Sequence, residues 1–505
     1  MENIVAHSLE KLYTEFEEAD QIFLDSGMKD MDSYEKGLAE AARKAAAEHM
    51  QALYNSMDRM LCDDIIRDKK YSIQRHDTRE LLTINGPVCF THTLFRNREE
   101  GSYHYLLDEW LGLDAHERLS CAAETAVLIE ATRSSYSRAA KVLGKNAEIS
   151  KTAVMDKVHA VQAEIPFEKP EKKKCVEYLY IEADEDHIHK QEKTVPGKKR
   201  GIIGKLLYLY EGREEKGGHR ELTNVFYLGG LYAGSEENHR LFRRMQKYIE
   251  TNYETKYLKK VYVSGDCGAW IKAGVSDIDK GVMVMDKYHL MKYINKAANQ
   301  MLDDANEVKG GLWKALYKGK KKKFVKTLKA VRKCAPNEKA VNECEEYVLN
   351  NWDSAVLRMQ DKNVYGCSAE GHVSHVYSDR MSSRPMGWSE AGADAMCQLR
   401  CYVRDYGEEK VIDLVHYRRE HKQLEATGTE NAEPKFARGY LKKLLHGQHD
   451  SDRVYLERMQ AAIPSIEIRK KLAIRERLSR VHSATKKALK SLHFPTKYAI
   501  ITARE

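Results

Sequence analysis

Val261-Tyr262-Val263-Ser264-Gly265-Asp266-Cys267-Gly268-Ala269-Trp270 is the stretch on which the fold turns. Three β-favouring apolar residues run into a Ser-Gly step, then a carboxylate, then a glycine and an apolar helix start. The pattern predicts a buried strand that ends on the exposed acid Asp266. Open α/β sheets place their chemistry at the carboxyl ends of parallel strands. Asp266 is therefore the first candidate for a working residue.

Upstream, Cys175–Ala183 reads as a strand ending at Asp184, with Leu179, Ile181 and Ala183 on one face and Tyr178, Tyr180, Glu182 and Asp184 on the other. Two further strands follow, Ile202–Glu211 and Thr223–Leu231, joined by a Gly-rich turn at Gly212–Gly218. Ser235 is expected to cap a helix to about Tyr253. After the Asp266 strand come a short helix near Trp270, a strand Gly281–Met285 and a helix from Asp286. Three strands, helix, strand, helix, strand, helix is the order of a ribonuclease-H-like α/β core. Such a core puts one acid on its first strand, one after its fourth and a third on a later helix.

Residues 290–365 read as a basic helical insertion before that last helix, with Trp313 and Trp352 as packing residues and a lysine run at 318–323 on the solvated side or against phosphates. Beyond it, Glu370 stands in a run rich in Ser, His, Arg and Gly that leads to Trp388, Glu390 and the helix through Leu399-Arg400.

The segments Ala183-Asp184-Glu185-Asp186-His187-Ile188, Val263 to Trp270, Met285-Asp286-Lys287-Tyr288-His289 and Cys367-Ser368-Ala369-Glu370-Gly371 with Arg380, Trp388 and Leu399-Arg400 resemble those of a bacterial insertion-sequence transposase of the DDE type. The likeness is to the mutator-like group, with a helical insertion before the glutamate, and it spans about residues 120–405. It implies that Asp184, Asp266 and Glu370 are the catalytic, metal-holding acids. Asp286 and His289 match an accessory D-x-x-H segment. The group often has Asp-Gly at the first acid, whereas this chain has Asp184-Glu185-Asp186, so Asp186 competes with Asp184 and Glu390 competes with Glu370.

The chemistry implied is metal-dependent cleavage of DNA 3′ ends and strand transfer. Two Mg²⁺ (or Mn²⁺) ions about 3.5–4 Å apart would stabilise the entering and leaving oxygens, and hard oxygen ligands suit them. The implied partners are double-stranded DNA, as element ends and as target, and further copies of the chain assembled on it. The rival readings are a stand-alone nuclease or resolvase of the same fold, and an inactive DNA-binding regulator.

The flanks read more simply. Residues 1–70 are helical and 71–118 contain a small β region. Residues 119–165 predict a helix-turn-helix, with Ser150 capping a second helix that offers Lys151, Thr152, Met155 and Lys157 to a major groove. The core would run over 175–289 and resume at 366–405, after the insertion 290–365. Residues 406–505 form a basic helical C-terminal region with arginine and lysine clusters.

At 505 residues the chain is too long for one ordinary core. Its net charge of +8 permits a polyanion partner without requiring one. The ten cysteines form no CxxC pair, and Cys397 and Cys401, one helical turn apart, read as packing residues rather than zinc ligands. Scattered thiols fit a reducing compartment. The acidic amphipathic start, MENIVAHSLEKLYTEFEEADQ, has no signal-peptide pattern, and no run approaches the ~18 apolar residues of a membrane span. The expected location is the cytoplasm, at the nucleoid when DNA is bound.

Overall fold

The computed structural model describes residues 4–144, 147–161, 164, 167, 169–191, 201–383 and 386–427. The basic clusters after residue 427 lie outside these. The described residues divide into two compact units, one drawn from 4–56, 78–91 and 114–423, the other from 57–77, 92–113 and 424–427.

The N-terminal elements are α1 (Ile4–Asp25), α2 (Met31–Asp63), α3 (Ile65–Lys70), β1 (Tyr71–Thr83), β2 (Gly86–Asn97), β3 (Tyr103–Tyr105) and α4 (Leu106–Leu111). The apolar stripe expected on α1 forms, but no residue of that helix is buried.

Next come α5 (Cys121–Arg133), α6 (Tyr136–Ala139) and α7 (Lys151–His159). Ser150 caps α7, its side chain accepting from the Ala153 amide at 3.0 Å. The first helix of the expected helix-turn-helix, however, shrinks to the single turn of α6. Nor do these helices form a separate module. Val127, Ala139, Val154 and Val158 belong to the same buried cluster as Tyr180, Leu206 and Met396 of the central sheet and its covering helix.

The central elements are β4 (Tyr178–His189), β5 (Gly201–Tyr210), β6 (Gly212–Lys216), β7 (His219–Thr223), β8 (Phe226–Gly230), α8 (Ser235–Asn252), β9 (Lys260–Gly265), α9 (Ala269–Val275) and β10 (Gly281–Met285). Five strands make one mixed sheet in the order β10-β9-β4-β5-β8. β4 is parallel to β9, β9 is parallel to β10, and β5 is antiparallel to both β4 and β8.

Three sequence expectations change here. β4 does not stop at Asp184: its ladder with β5 continues to His189↔Gly201, and Ile188 is fully buried, so packing carries the strand through five more residues. The stretch at 212–218 is not merely a turn. It holds β6 and pairs with β7 around Gly217-Gly218, both at positive φ, the backbone that a two-residue hairpin turn demands. Ser235 is the first residue of α8, and Gly234 is its cap.

One face of the sheet packs on α8 through Leu241, Phe242, Met245 and Ile249, together with Ile271 of α9. The other face carries Tyr180, Leu206, Tyr208 and Tyr210. It is covered by α5–α7 and by the last helices of the unit. After β10 the chain runs through α10 (Lys287–Ala298), α11 (Ala305–Tyr317), α12 (Lys321–Cys334), α13 (Glu338–Leu349) and α14 (Trp352–Gln360). These helices enclose a core of their own, with Leu290, Phe324, Leu328, Val341 and Trp352 inside it.

The chain then returns as α15 (Ala369–Val373), a π-helical stretch Ser374–Ser378, α16 (Asp379–Met381), α17 (Glu390–Tyr406) and α18 (Val411–Thr427). Cys397 and Cys401 are both buried in α17 as packing residues. The fully buried Glu124 of α5 collects Lys157, Arg418 and Arg419, which ties α18 to α5 and α7.

Candidate functional site

Register brings three acids to one level. Glu182 of β4 lies opposite Ser264 of β9, so Asp184 and Asp266, two residues further on, come level with each other, Asp184 still within β4 and Asp266 just past β9. Met285 of β10 lies opposite Gly265, and the Asp286 amide donates to the Gly265 carbonyl at 2.8 Å. Asp184, midway along β4, therefore stands level with Asp266 and Asp286, the first residues past the ends of β9 and β10.

The turn after β9 is closely built. A Cβ on Gly265 would stand 2.8 Å from the Ala183 carbonyl oxygen and 2.7 Å from Ile271 Cδ1, so glycine is what lets β9 close on β4. Cys267 takes a left-handed backbone, φ 63°, which costs a β-carbon residue about 1 kcal/mol. That twist lets Asp266 Oδ1 accept from the Gly268 amide at 2.7 Å. The insertion holds the same turn from outside: Cys267 is buried in its core, and Tyr347 of α13 donates its hydroxyl to the Asp266 carbonyl at 2.7 Å.

The electrostatics are those of crowded negative charge. Burial pushes the Asp184 carboxyl up to about 6; the Glu185 amide opposes this and the neighbouring Asp266 adds to it. Hydrogen bonding to Asp286, Nδ1 to Oδ2 at 3.0 Å, raises His289, with the charges of Asp266 and Asp184 adding to it. Burial alone would raise Asp286, but the His289 contact and the Tyr288 amide outweigh it and hold the carboxyl below its usual range.

A stability slope follows. Between about pH 4, where an unfolded aspartate titrates, and about 6, the metal-free folded chain keeps a proton on Asp184 that the unfolded chain has lost. Its stability therefore falls as pH rises through that window. Asp184→Asn is expected to remove the slope and to stabilise the metal-free protein by about 2 kcal/mol above pH 6, after discounting for partial exposure. Urea denaturation in EDTA from pH 4 to 8 measures it, and an unchanged slope would refute the assignment.

Glu370 is carried across this edge by two anchors. Ser368, the cap of α15, gives its amide and hydroxyl to Glu182 Oε2 at 2.6 and 3.2 Å. Ser378 and Ser382 give their hydroxyls to Asp186 Oδ2 at 3.2 and 2.8 Å. Glu182 and Asp186 flank Asp184 on the same face of β4, so the segment between the anchors passes over Asp184. On α15, His372 stacks on Tyr208 at 4.1 Å and meets the Tyr227 hydroxyl at 2.7 Å, toward β5 and β8. Glu370 lies about 200° around the helix from it and is exposed. Among the described residues the Glu370 carboxyl takes part in no hydrogen bond or ion pair.

The other expected residues fall elsewhere. Asp186 is engaged by the two serines. Glu390 pairs with Lys190 at 2.8 Å, six residues past Asp184 and so about 20 Å along the strand. On α7, Lys151 and Thr152 are exposed and Met155 is half-buried. Lys157, expected to be exposed, is instead held by Glu117 at 2.6 Å and Glu124 at 3.4 Å, which takes it out of any groove-reading set.

Sequence reading missed the buried Glu182. Its carboxyl accepts from Tyr210 at 2.7 Å and from Tyr208, and Arg213 lies 3.7 Å away. The available signal was a carboxylate set among aromatic residues on the inward face of a strand. In the second unit, Asp58, Cys62 and His76 bring donor atoms within 4.8 Å of one another. The Thr93 hydroxyl joins them, at 2.7 Å from Asp58, 3.3 Å from Cys62 and 2.8 Å from His76, and accounts for the cluster without an ion.

Residues 24–416 match the uncharacterised protein family UPF0236. The UPF0236 protein TTE2489 of Caldanaerobacter subterraneus subsp. tengcongensis is 33% identical over 422 residues, covering 81% of this chain and 88% of its own. A second UPF0236 protein of that bacterium is 33% identical over 422 residues, covering 81% of this chain and 87% of its own, and its name carries four locus designations. A third, with eleven designations, is 33% identical over 399 residues, covering 77% and 82%. The solved Drosophila P element transposase strand transfer complex aligns with a TM-score of 0.20 at 9% identity, over 61% of this chain and 81% of that one. A likeness so low carries no argument.

Proposed function

The chain belongs to the UPF0236 family, and we propose that it is a DNA transposase of the DDE type, with Asp184, Asp266 and Glu370 as its catalytic acids. The observation that carries the reading is the juxtaposition at the sheet edge: two aspartates level on adjacent parallel strands, under a helix pinned on both sides of the first. The strand order β10-β9-β4-β5-β8, with β5 reversed, is the order a ribonuclease-H-like core requires, and supports it. Relatives whose single names span four and eleven loci of one genome also support it, since a mobile element leaves such copies.

The donor set fits divalent Mg²⁺ or Mn²⁺: it is all carboxylate oxygen, and the burial and mutual repulsion that raise Asp184 are what a cation relieves. Ions bound there would neutralise the developing charge on a phosphodiester and lower the pKa of water. Asp184 and Asp266 hold that charge from the sheet, and Glu370 closes over it from α15. His289, braced by Asp286, faces the same edge as a donor to a phosphate oxygen. Water would attack at the element end and free a 3′-hydroxyl. That hydroxyl would attack target DNA, with two or more copies of the chain on paired ends.

The test incubates the full chain with Mg²⁺, a labelled duplex from the element end and a supercoiled plasmid. Joined donor–plasmid product is expected. Cleavage without joining would make the protein a nuclease or resolvase, and metal-independent binding with neither product would make it a regulator.

A further inference from the structure

The outer face of α12 is basic along its length. Its sequence, KKKFVKTLKAVRKC, contains no acid. Phe324, Leu328 and Val331 turn into the core of the insertion. Lys322, Lys326, Lys329 and Lys333 are all exposed and recur at i, i+4, i+7 and i+11, which aligns them in one stripe about 16 Å long. Exposed Lys318, Lys320, Lys321 and Lys323 crowd its start. Arg332 has a partner, Glu345, at the flank of the helix. None of these lysines is in an ion pair among the described residues; Lys321 lies 5.9 Å over the Trp352 ring.

Fold stability does not account for this arrangement. Lysines in the first turn oppose the positive end of the helix dipole. The pairs Lys322–Lys326, Lys326–Lys329 and Lys329–Lys333 are like charges at the spacings where side chains meet. A helix that keeps repelling charges with no internal partner is completed by an external polyanion.

We propose that this face of α12 is a docking surface for the backbone of double-stranded DNA, independent of base sequence and of metal. The choice of duplex DNA rests on the transposase reading; the charge pattern itself does not. The four aligned lysines follow a phosphate track, and the lysines of the first turn thicken the positive field at one end. Binding through them releases counterions, so it carries a salt signature.

The experiment measures binding of a fluorescent duplex to the full chain in EDTA from about 50 to 300 mM salt. K322Q/K326Q/K329Q/K333Q is expected to fold at least as well as the parent, because it removes repulsion. It should flatten the slope of log Kd against log salt by about 3–4 and weaken binding at least about tenfold at low salt. A control removes equal charge at Lys216, Lys247, Lys256 and Lys259, exposed residues elsewhere in the unit. An unchanged slope in the stripe variant, or an equal change in the control, would overturn the assignment to α12 and leave the catalytic reading intact. Failure of the parent to bind duplex DNA at about 50 mM salt would overturn both.

Discussion

Asp266→Asn is expected to reduce Mg²⁺-dependent strand cleavage by about a thousandfold or more while leaving DNA binding in EDTA unchanged. Asparagine keeps the shape and can still accept from the Gly268 amide, so the turn survives. What disappears is one of the two adjacent carboxylates proposed to hold the metal. Charge stabilisation of a phosphoryl transition state through bound metal is worth several kcal/mol, and about 4 kcal/mol is a factor of a thousand. Glu370→Gln is expected to match it. Glu390→Gln is expected to stay within about twofold, because Glu390 serves an exposed ion pair with Lys190 of the kind worth at most about 1 kcal/mol. Single-turnover cleavage of a labelled duplex measures all three. Full activity in Asp266→Asn, or equal losses at Glu370 and Glu390, would dismantle the assigned centre.

Glu182→Ala is expected to destabilise the fold by about 3–5 kcal/mol, the range for removing one member of a buried charged network. Glu182 is 1% exposed. Its loss strands the hydroxyls of Tyr208 and Tyr210, the amide and hydroxyl of Ser368 and the nearby Arg213 guanidinium. Burial, the larger cause that holds both tyrosines far above their ordinary ionisation range, persists in the variant, so neither can take over the negative charge. Urea unfolding gives the magnitude. Glu182→Gln separates positioning from stability: it fills the same volume and still accepts from Ser368, but cannot satisfy all four donors. Folding is expected to persist, with a lower affinity for Mn²⁺ because α15 no longer sits firmly over Asp184. A Glu182→Gln protein with normal melting and normal Mn²⁺ binding would confine the residue to packing.

The sheet was readable from sequence wherever apolar residues alternated or ran together. Val261–Gly265 is buried throughout, Gly281–Met285 is buried at its end, and both stop clearly, so Asp266 and Asp286 could be placed by inspection. The reading failed where pairing rather than composition makes the strand. Glu185-Asp186-His187 looks like loop, yet the ladder with β5 and the burial of Ile188 keep it extended. Arg213-Glu214-Glu215-Lys216 is wholly charged, and only its pairing with β7 makes it β. The fate of Lys157 was hidden because its partners, Glu117 and Glu124, stand 40 and 33 residues away. The path of Glu370 depends on contacts from Ser368, Ser378 and Ser382 to β4, each spanning more than 180 residues. No local pattern encodes such contacts.

β4 is bonded on both sides, to β9 through Glu182 and to β5 through His189. Its side chains alternate between two buried layers. Inserting or deleting one residue between Tyr178 and Asp184 would invert that parity, turning Asp184 into the layer of Ile181 and putting a neighbour, Ala183 or Glu185, in its place. Length variation in this strand is thus quantised: changes of two residues can in principle be absorbed, whereas a change of one exchanges inside for outside along the whole remaining strand.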